Sequence, residues 1–416
     1  MDIKEKIAQA NEKTVHMLMD SDPVWVDMKP AIECVDGLED HMILHSGPPI
    51  AYEDMTMLHK RGMVSAMLFE GWAKDEEEAV KRLKAGEIKI SSALDHNTVG
   101  AGTGIITKSV VLNVVEDRHN HTVATFPAEG PFQGGFCGWG LYSKEIAENL
   151  RYMREELFPP MVEALHKLGG IPIKPILAES MQMGDENHTR QTACDYIYDR
   201  LMLPALFELD RPKKEIMKTV RYIVDTPRFF HCYGQAAARA ALVAADGTEY
   251  STMVTAVCGN GVEFGIKIAS LPGQWFTAPA PMMKGRYTSS EFTEKDQLPW
   301  MGDSCVVECY GMGGFAAAAS PIVCNLRGMT LKESIGQTKE MYRITMEKNY
   351  NFPIPNLDFD FLPVGIDIRK VLKEGVCPAI HGGMFNRVGG LIGAGMARVP
   401  MQCFEKALVA FGEKYL

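Results

Sequence analysis

Five residues able to carry charge or protons fall within one run of twelve, Glu179-Ser-Met-Gln-Met-Gly-Asp185-Glu186-Asn-His188-Thr-Arg190. Carboxylates beside a cation separate in pKa, so one can accept a proton while a guanidinium grips an anion. Glu179, Asp185, Glu186, His188 and Arg190 are therefore the candidate catalytic residues. The plainer reading is a solvated helix start with Asp185 as its N-cap. As a metal site the run fails on spacing, because His188 has no histidine four positions away and no neighbouring cysteine.

Three other stretches mix glycine with polar residues between apolar flanks, a composition that lets backbone approach a ligand closely. Ser91–Lys108 carries Asp95, His96 and Asn97 ahead of Gly100, Gly102 and Gly104. It matches neither the phosphate loop nor the dinucleotide fingerprint, and a tight turn between strands explains it as well. Phe126–Gly140 offers Glu129 as a base or orienting group and Gln133 as a hydrogen-bonding one. The C-terminal third holds Asn260, Gly261 and Glu263, then Lys284 and Arg286, then Asp303, and His381 before a glycine pair. Asp95, His96, Asn97, Glu129, Gln133, Asn260, Gly261, Glu263, Lys284, Asp303 and His381 are the substrate-binding candidates. His381 lies in an apolar strand, where a satisfied core histidine is the commoner occurrence. No Gly-x-Ser-x-Gly elbow occurs, and Cys258, Cys305 and Cys309 read as buried, inert thiols. No metal ligand set and no cofactor are expected.

The elements that must position these groups point to an α+β fold in several domains. Residues 2–19 have helical apolar spacing, Met63–Phe69 reads as a buried strand, and Asp75–Gly86 as a helix with acidic start and basic end. Lys89–Ser92 and Ser109–Val115 read as strands. From Ser143 to Lys167 the chain is helical, with Pro159-Pro160 expected to split it. Ile171–Leu177 is strand-like, and helices follow near Thr189–Leu203, Lys213–Val224 and Phe229–Val243. Asn260-Gly261 is a hairpin turn between two strands, Leu331–Glu347 a helix, and Pro400–Tyr415 the last helix. This gives an α/β domain over 1–125, a mainly helical region over 126–245 and a mixed α+β domain over 246–416. The candidate site falls between them, with the Asn260–Glu263 turn and Lys284 facing Arg190.

Lys+Arg 43 against Asp+Glu 53 leaves a net charge of −10, which with no basic run argues against nucleic acid and anionic membrane surfaces as partners. No segment has the length and apolarity of a membrane helix, and the charged N-terminus is unlike a signal peptide. A cytoplasmic location with reduced cysteines is the expectation. Twenty-six methionines and the small apolar run Phe315–Pro321 suggest packing against other subunits, a homodimer first.

The strings MGDENHTR, GNGVEFGI, WFTAPAP, GDSCVVECYGMGGFAAAASP and GGLIGAG together resemble the YlbE/YahG-like family of bacterial proteins, and the likeness runs the length of the chain. That family includes AllG, a subunit of the oxamate carbamoyltransferase of anaerobic allantoin use. The resemblance implies a multi-domain α+β fold, an FdrA-like partner subunit and a smaller third subunit. It further implies small anionic substrates: oxalurate with phosphate on one side, oxamate with carbamoyl phosphate on the other. Joining two anions at a neutral acyl centre requires cations and N–H donors, for which Arg190, Lys284, Arg286 and the glycine loops are suited. The Ser-x-Arg-Thr-Arg signature of aspartate and ornithine carbamoyltransferases is absent, so a carbamoyltransferase here has another fold. Two readings stay open: a catalytic carbamoyl-transferring subunit, and a non-catalytic scaffold or ligand-binding subunit of an FdrA-like complex with a different acceptor.

Overall fold

Val24, Trp25 and Met28 are buried in the run Pro23–Pro30, and this segment is strand β1. In the computed structural model, which describes residues 2–128, 135–188, 192–225 and 233–416, β1 pairs antiparallel with β4 (Val111–Asp117) and with the short β6 (Ile171–Pro172). The register against β4 slips between Trp25 and Asp27, a bulge that re-aims the following side chains. β5 (Thr122–Pro127) completes a sheet of order β5-β4-β1-β6.

Across this sheet lies helix Tyr233–Val243, Tyr-Gly-Gln-Ala-Ala-Ala-Arg-Ala-Ala-Leu-Val. It has no polar face, as a helix covered on every side requires. Tyr233 sits 4.8 Å from Trp25 and 5.2 Å from Phe126 between ring centroids. Its single charge, Arg239, donates through its two terminal nitrogens to the Thr255 and Leu94 carbonyls, Asn97 Oδ1 and Asp246 Oδ2. The guanidinium thereby ties together three distant parts of the chain.

β2 (Met42–His45) and β3 (Lys89–Ser92) form a parallel pair, and the connection between them is helical. Here the structure corrects the expected strand at Met63–Phe69, which belongs to helix Met57–Glu70. Thr56 caps that helix by accepting the His59 N–H, and Gly71 ends it at φ 70. Leu58, Met63, Ala66 and Met67 share its buried face, a spacing the seven-residue window hides. Ile171–Leu177 is corrected likewise. Only Ile171–Pro172 is strand, and helix Ile173–Gln182 follows with Pro175 in its first turn, where a missing N–H costs nothing. The two prolines divide the Ser143–Lys167 stretch into two α-helices, as expected, without ending the helical path. Lys144–Tyr152 runs through a π-type turn, Met153–Leu157, into Phe158–Lys167, which places both prolines in a first turn.

In the C-terminal half, β7 (Val254–Asn260) and β8 (Glu263–Ile268) form the expected hairpin, joined by β9 (Phe276–Pro279) and β11 (Met301–Gly302) in the order β11-β7-β8-β9. Thr345–Ile354 (β12) and Asp360–Ile366 (β13) pair separately. The third sheet, β10 (Lys284–Tyr287), β15 (Leu391–Arg398) and β14 (Ala379–Phe385), is rich in glycine. Gly285 faces Gly395 in register, and a Cβ on Gly285 would lie 2.1 Å from the Ala394 carbonyl oxygen. The strands therefore approach closely and leave a flat floor of backbone. One apolar core joins the N-terminal sheet, the Tyr233–Val243 helix and the C-terminal sheets without a break among the described residues. The fold is mixed α+β.

Candidate functional site

A cavity of about 390 Å³ lies on that glycine floor. Gly382, Gly383, Gly393 and Ala394 form its base. Trp139, Trp300 and Phe385 wall it with aromatic rings, and Ala101 and Gly102 of the first glycine loop close another side. Its polar lining is sparse: His188, Arg286, Tyr287, Thr288 and Ser304. A mainly apolar cavity with a few placed polar groups is the usual form of a small-molecule site.

His188 is held from behind. Its Nδ1 lies 3.0 Å from Glu308 Oε1, and both side chains are buried. The same oxygen accepts the backbone N–H groups of Gly314, at 3.1 Å, and His381, at 2.8 Å. The carboxylate therefore collects three donors on one atom, which fixes the imidazole with its proton on Nδ1 and leaves Nε2 for the cavity. Gly313 makes this approach possible at φ 58, since a Cβ there would stand 2.4 Å from Glu308 Oε1. Behind Glu308, Gln337 Nε2 donates to His381 Nε2 at 2.9 Å and to the Gly314 carbonyl at 2.7 Å. Burial, and then the nearby Arg327 charge, push the His381 imidazole well below its ordinary pKa, so it stays neutral.

The neighbouring carboxylates have structural partners. Glu186 meets Arg327 at 3.4 Å, both fully buried, and its backbone carbonyl accepts the Gly313 N–H. Asp185 accepts the Asn187 and Ala193 N–H groups, capping a helix that starts at Thr192 rather than beside it. Burial, reinforced by the Glu186 charge, drives its carboxyl upward. Glu179 stands outside this group, half-exposed and 3.3 Å from Arg200.

Asp303, directly before the cavity residue Ser304, is wholly buried. It accepts the Gly47 N–H at 2.6 Å and the Gly100 N–H at 3.0 Å, clamping the first glycine loop against the C-terminal half. Burial outweighs these bonds and pushes its carboxyl up to about 7. Close by, Ser46 joins His59 Nε2 to the Gly102 carbonyl. Burial lowers His59 to about 3 and His45 to about 4, so both are neutral.

The other sequence candidates lie away from the cavity lining. Asp95 pairs with Lys267 at 2.8 Å and accepts the Trp275 indole N–H. His96 bonds the Asp36 carbonyl and Ser91, and Asn97 accepts from Arg239. Asn260 holds its own turn, accepting the Val262 and Glu263 N–H groups and donating to the Pro48 carbonyl. Gly261 supplies the φ of 81 that turn requires, and Glu263 accepts from Thr277. Lys284 is exposed on β10, two residues from Arg286. Glu129, Gln133 and Arg190 lie outside the described residues. Among those described, no three His, Cys, Asp or Glu side chains gather as metal ligands, and no helix is long and apolar enough to cross a membrane.

Comparison with known proteins now bears on this site. Residues 88–304, about half the chain, match the family model of the oxamate carbamoyltransferase subunit AllG. The Escherichia coli protein of that name is 34% identical over 412 residues, which cover 98% of each chain. The chain belongs to the AllG family. A second E. coli relative, the uncharacterized protein YahG, is 33% identical over 415 residues, covering 99% of this chain and 88% of its own. A crystal structure of a conserved protein of unknown function from Enterococcus faecalis V583 matches over the whole of both chains, with a TM-score of 0.94 and 32% identity.

In this AllG-family chain the structure gathers Asp185, Glu186, His188 and His381 into one buried group, and brings only His188 to the cavity. The decisive partner is Glu308, which the sequence reading passed over. Its signal was a lone carboxylate in the apolar run Val306-Val-Glu-Cys-Tyr, a position where burial demands a partner. Ser304, Thr288, Trp300 and Gln337 carried no such signal. Burial raises the thiols of Cys258, Cys305 and Cys309, so the reading of inert cysteines agrees with their surroundings.

Proposed function

We propose that this chain is the carbamoyl-transferring subunit of an oxamate carbamoyltransferase, working on oxalurate and phosphate in the glycine-floored cavity. Family membership supports the reaction. The observation that carries the site is the pairing, in one cavity, of a carboxylate-backed imidazole, His188, with an uncommitted cation, Arg286. Among the described residues the Arg286 guanidinium has no ion pair or hydrogen bond, so it is available to a ligand carboxylate.

In the forward step a phosphate oxygen forms a bond to the ureido carbon of oxalurate. The bond from that carbon to the oxamate nitrogen breaks, and the departing nitrogen takes a proton. His188 Nε2 accepts the proton of the attacking hydrogen phosphate and passes it to that nitrogen, while Ser304 and the backbone N–H groups of the glycine loops stabilise the negative charge developing on the carbonyl oxygen. The products are oxamate and carbamoyl phosphate. The apolar walls exclude water, which would otherwise hydrolyse the activated carbamoyl group.

A partner subunit is part of this proposal, FdrA-like with a smaller third chain, and a homodimer of this one. Ile322 and Leu326 stand 62% and 57% exposed on one helix, and Leu326 also lines the cavity, which supports a subunit docking at the mouth. The test is Arg286→Ala in the reconstituted complex. Loss of a charged hydrogen-bond pair, ~1.5–3 kcal/mol, should raise the KM for oxalurate by roughly 10- to 150-fold. An unchanged KM would remove Arg286 from the site.

A further inference from the structure

We propose that Glu308 is the positioning residue of the site: it sets which nitrogen of His188 is offered to the ligand, and Gln337 sets Glu308 by holding His381. The assignment rests on the reading of the cavity as the carbamoyl-transfer site, but its structural part can be judged separately. Glu308 does not line the cavity, so it acts through His188 and not on the substrate. All three of its donors converge on Oε1: His188 Nδ1, Gly314 N–H and His381 N–H. The two backbone donors cannot change their role, so the atom in that place must be an acceptor. His188 must then present Nδ1 with its proton. An imidazole left to itself favours no such arrangement, and a tautomer reversed in the cavity would offer a donor where the reaction needs an acceptor.

The second layer is equally one-way. Gln337 donates through one amide nitrogen to His381 Nε2 and to the Gly314 carbonyl. That bond holds the β14 segment whose His381 N–H reaches Glu308, and Gly314 is the other backbone donor. A single amide therefore anchors both of the N–H groups that fix the carboxylate. No residue in this chain of contacts is exposed to solvent, which is how a catalytic orientation is kept rigid.

Two substitutions separate charge from shape. In Glu308→Gln the amide oxygen must take the Oε1 place to satisfy the two backbone donors, so the geometry persists and only the charge is lost. In Glu308→Ala the acceptor itself is lost. The experiment is nitrogen-15 NMR of the imidazoles in the full chain, with His188 identified by its loss in His188→Gln, followed by kcat and KM in the reconstituted complex. The native chain and Glu308→Gln should show His188 protonated on Nδ1. Glu308→Ala should shift it toward the Nε2-protonated form.

In the complex, kcat should fall at least tenfold in Glu308→Ala, with KM for oxalurate within about threefold of native. Glu308→Gln, which keeps the acceptor in the Oε1 place, should lose less kcat than Glu308→Ala. Gln337→Leu should give a milder version of the Glu308→Ala spectrum. His188 remaining Nδ1-protonated in Glu308→Ala would overturn the proposal. So would a change of KM alone. If no complex transfers a carbamoyl group, the functional reading fails while the tautomer result still decides the role of Glu308.

Discussion

Asp303→Asn tests whether a buried carboxylate holds the cavity wall in place. In the unfolded chain this carboxyl ionises near 3.8, and in the fold burial raises it to about 7. Between those values the folded chain keeps a proton that the unfolded chain has released. Raising the pH through this window therefore favours unfolding, by ~1.4 kcal/mol per unit for one group. From pH 5 to pH 7 the native chain should lose roughly 2 kcal/mol on account of Asp303 alone. Asparagine does not titrate. Its oxygen keeps one of the two glycine N–H donors, and its NH2 group meets the other, which costs about 1–3 kcal/mol at every pH. The variant should thus be clearly weaker than native at pH 5 and nearly level with it at pH 7. Asp185 titrates in the same direction, while His45 and His59, both lowered by burial, titrate in the opposite one. These groups are common to both chains and cancel in the difference. Urea unfolding of the two chains at pH 5, 6, 7 and 8, at fixed ionic strength, supplies that difference. A gap constant with pH would refute the argument, because it would mean that Asp303 ionises alike in both states.

Other substitutions follow from the same contacts. Arg239→Met removes a buried guanidinium serving four acceptors and leaves Asp246 without its 3.2 Å partner, so urea unfolding should show a loss of about 3–5 kcal/mol. Gly313→Ala forces a Cβ to within 2.4 Å of Glu308 Oε1 at a positive φ, so calorimetry should register a lower Tm and the complex a lower kcat together. Asp75→Ala removes the N-cap of helix Glu76–Lys84, none of whose residues lines the cavity, so it should cost about 1 kcal/mol in urea unfolding and leave catalysis untouched.

Legibility in the sequence followed the range of the interactions. Glu76–Lys84 was readable because its cap, its acidic first turn and its basic last turn are all local. Lys89–Ser92 and the Asn260-Gly261 hairpin were readable for similar reasons, since turn chemistry sits in adjacent residues. Met63–Phe69 was not, because a short apolar run looks alike in a buried helix and a buried strand until the caps at Thr56 and Gly71 are weighed. The dense polar run ending at His188 announced chemistry, yet its meaning depends on Glu308, 120 residues away, and on Arg327, 141 residues from Glu186. Composition could flag Asp303 and Asn260 as unusual polar residues among apolar ones. It could not tell that the first clamps two glycine loops and the second holds its own turn, because both roles are set by backbone geometry.

The central claim is that the glycine-floored cavity of this chain performs the transfer. The measurement closest to it is the rate of carbamoyl phosphate formation from oxalurate and phosphate in the reconstituted complex, with native or His188→Gln chain. Glutamine keeps a donor for Glu308 but supplies no group that exchanges a proton, so the rate should fall at least ~100-fold with Tm unchanged. A His188→Gln complex that assembles, keeps its Tm and forms carbamoyl phosphate at the native rate would contradict the account and place the chemistry on another subunit.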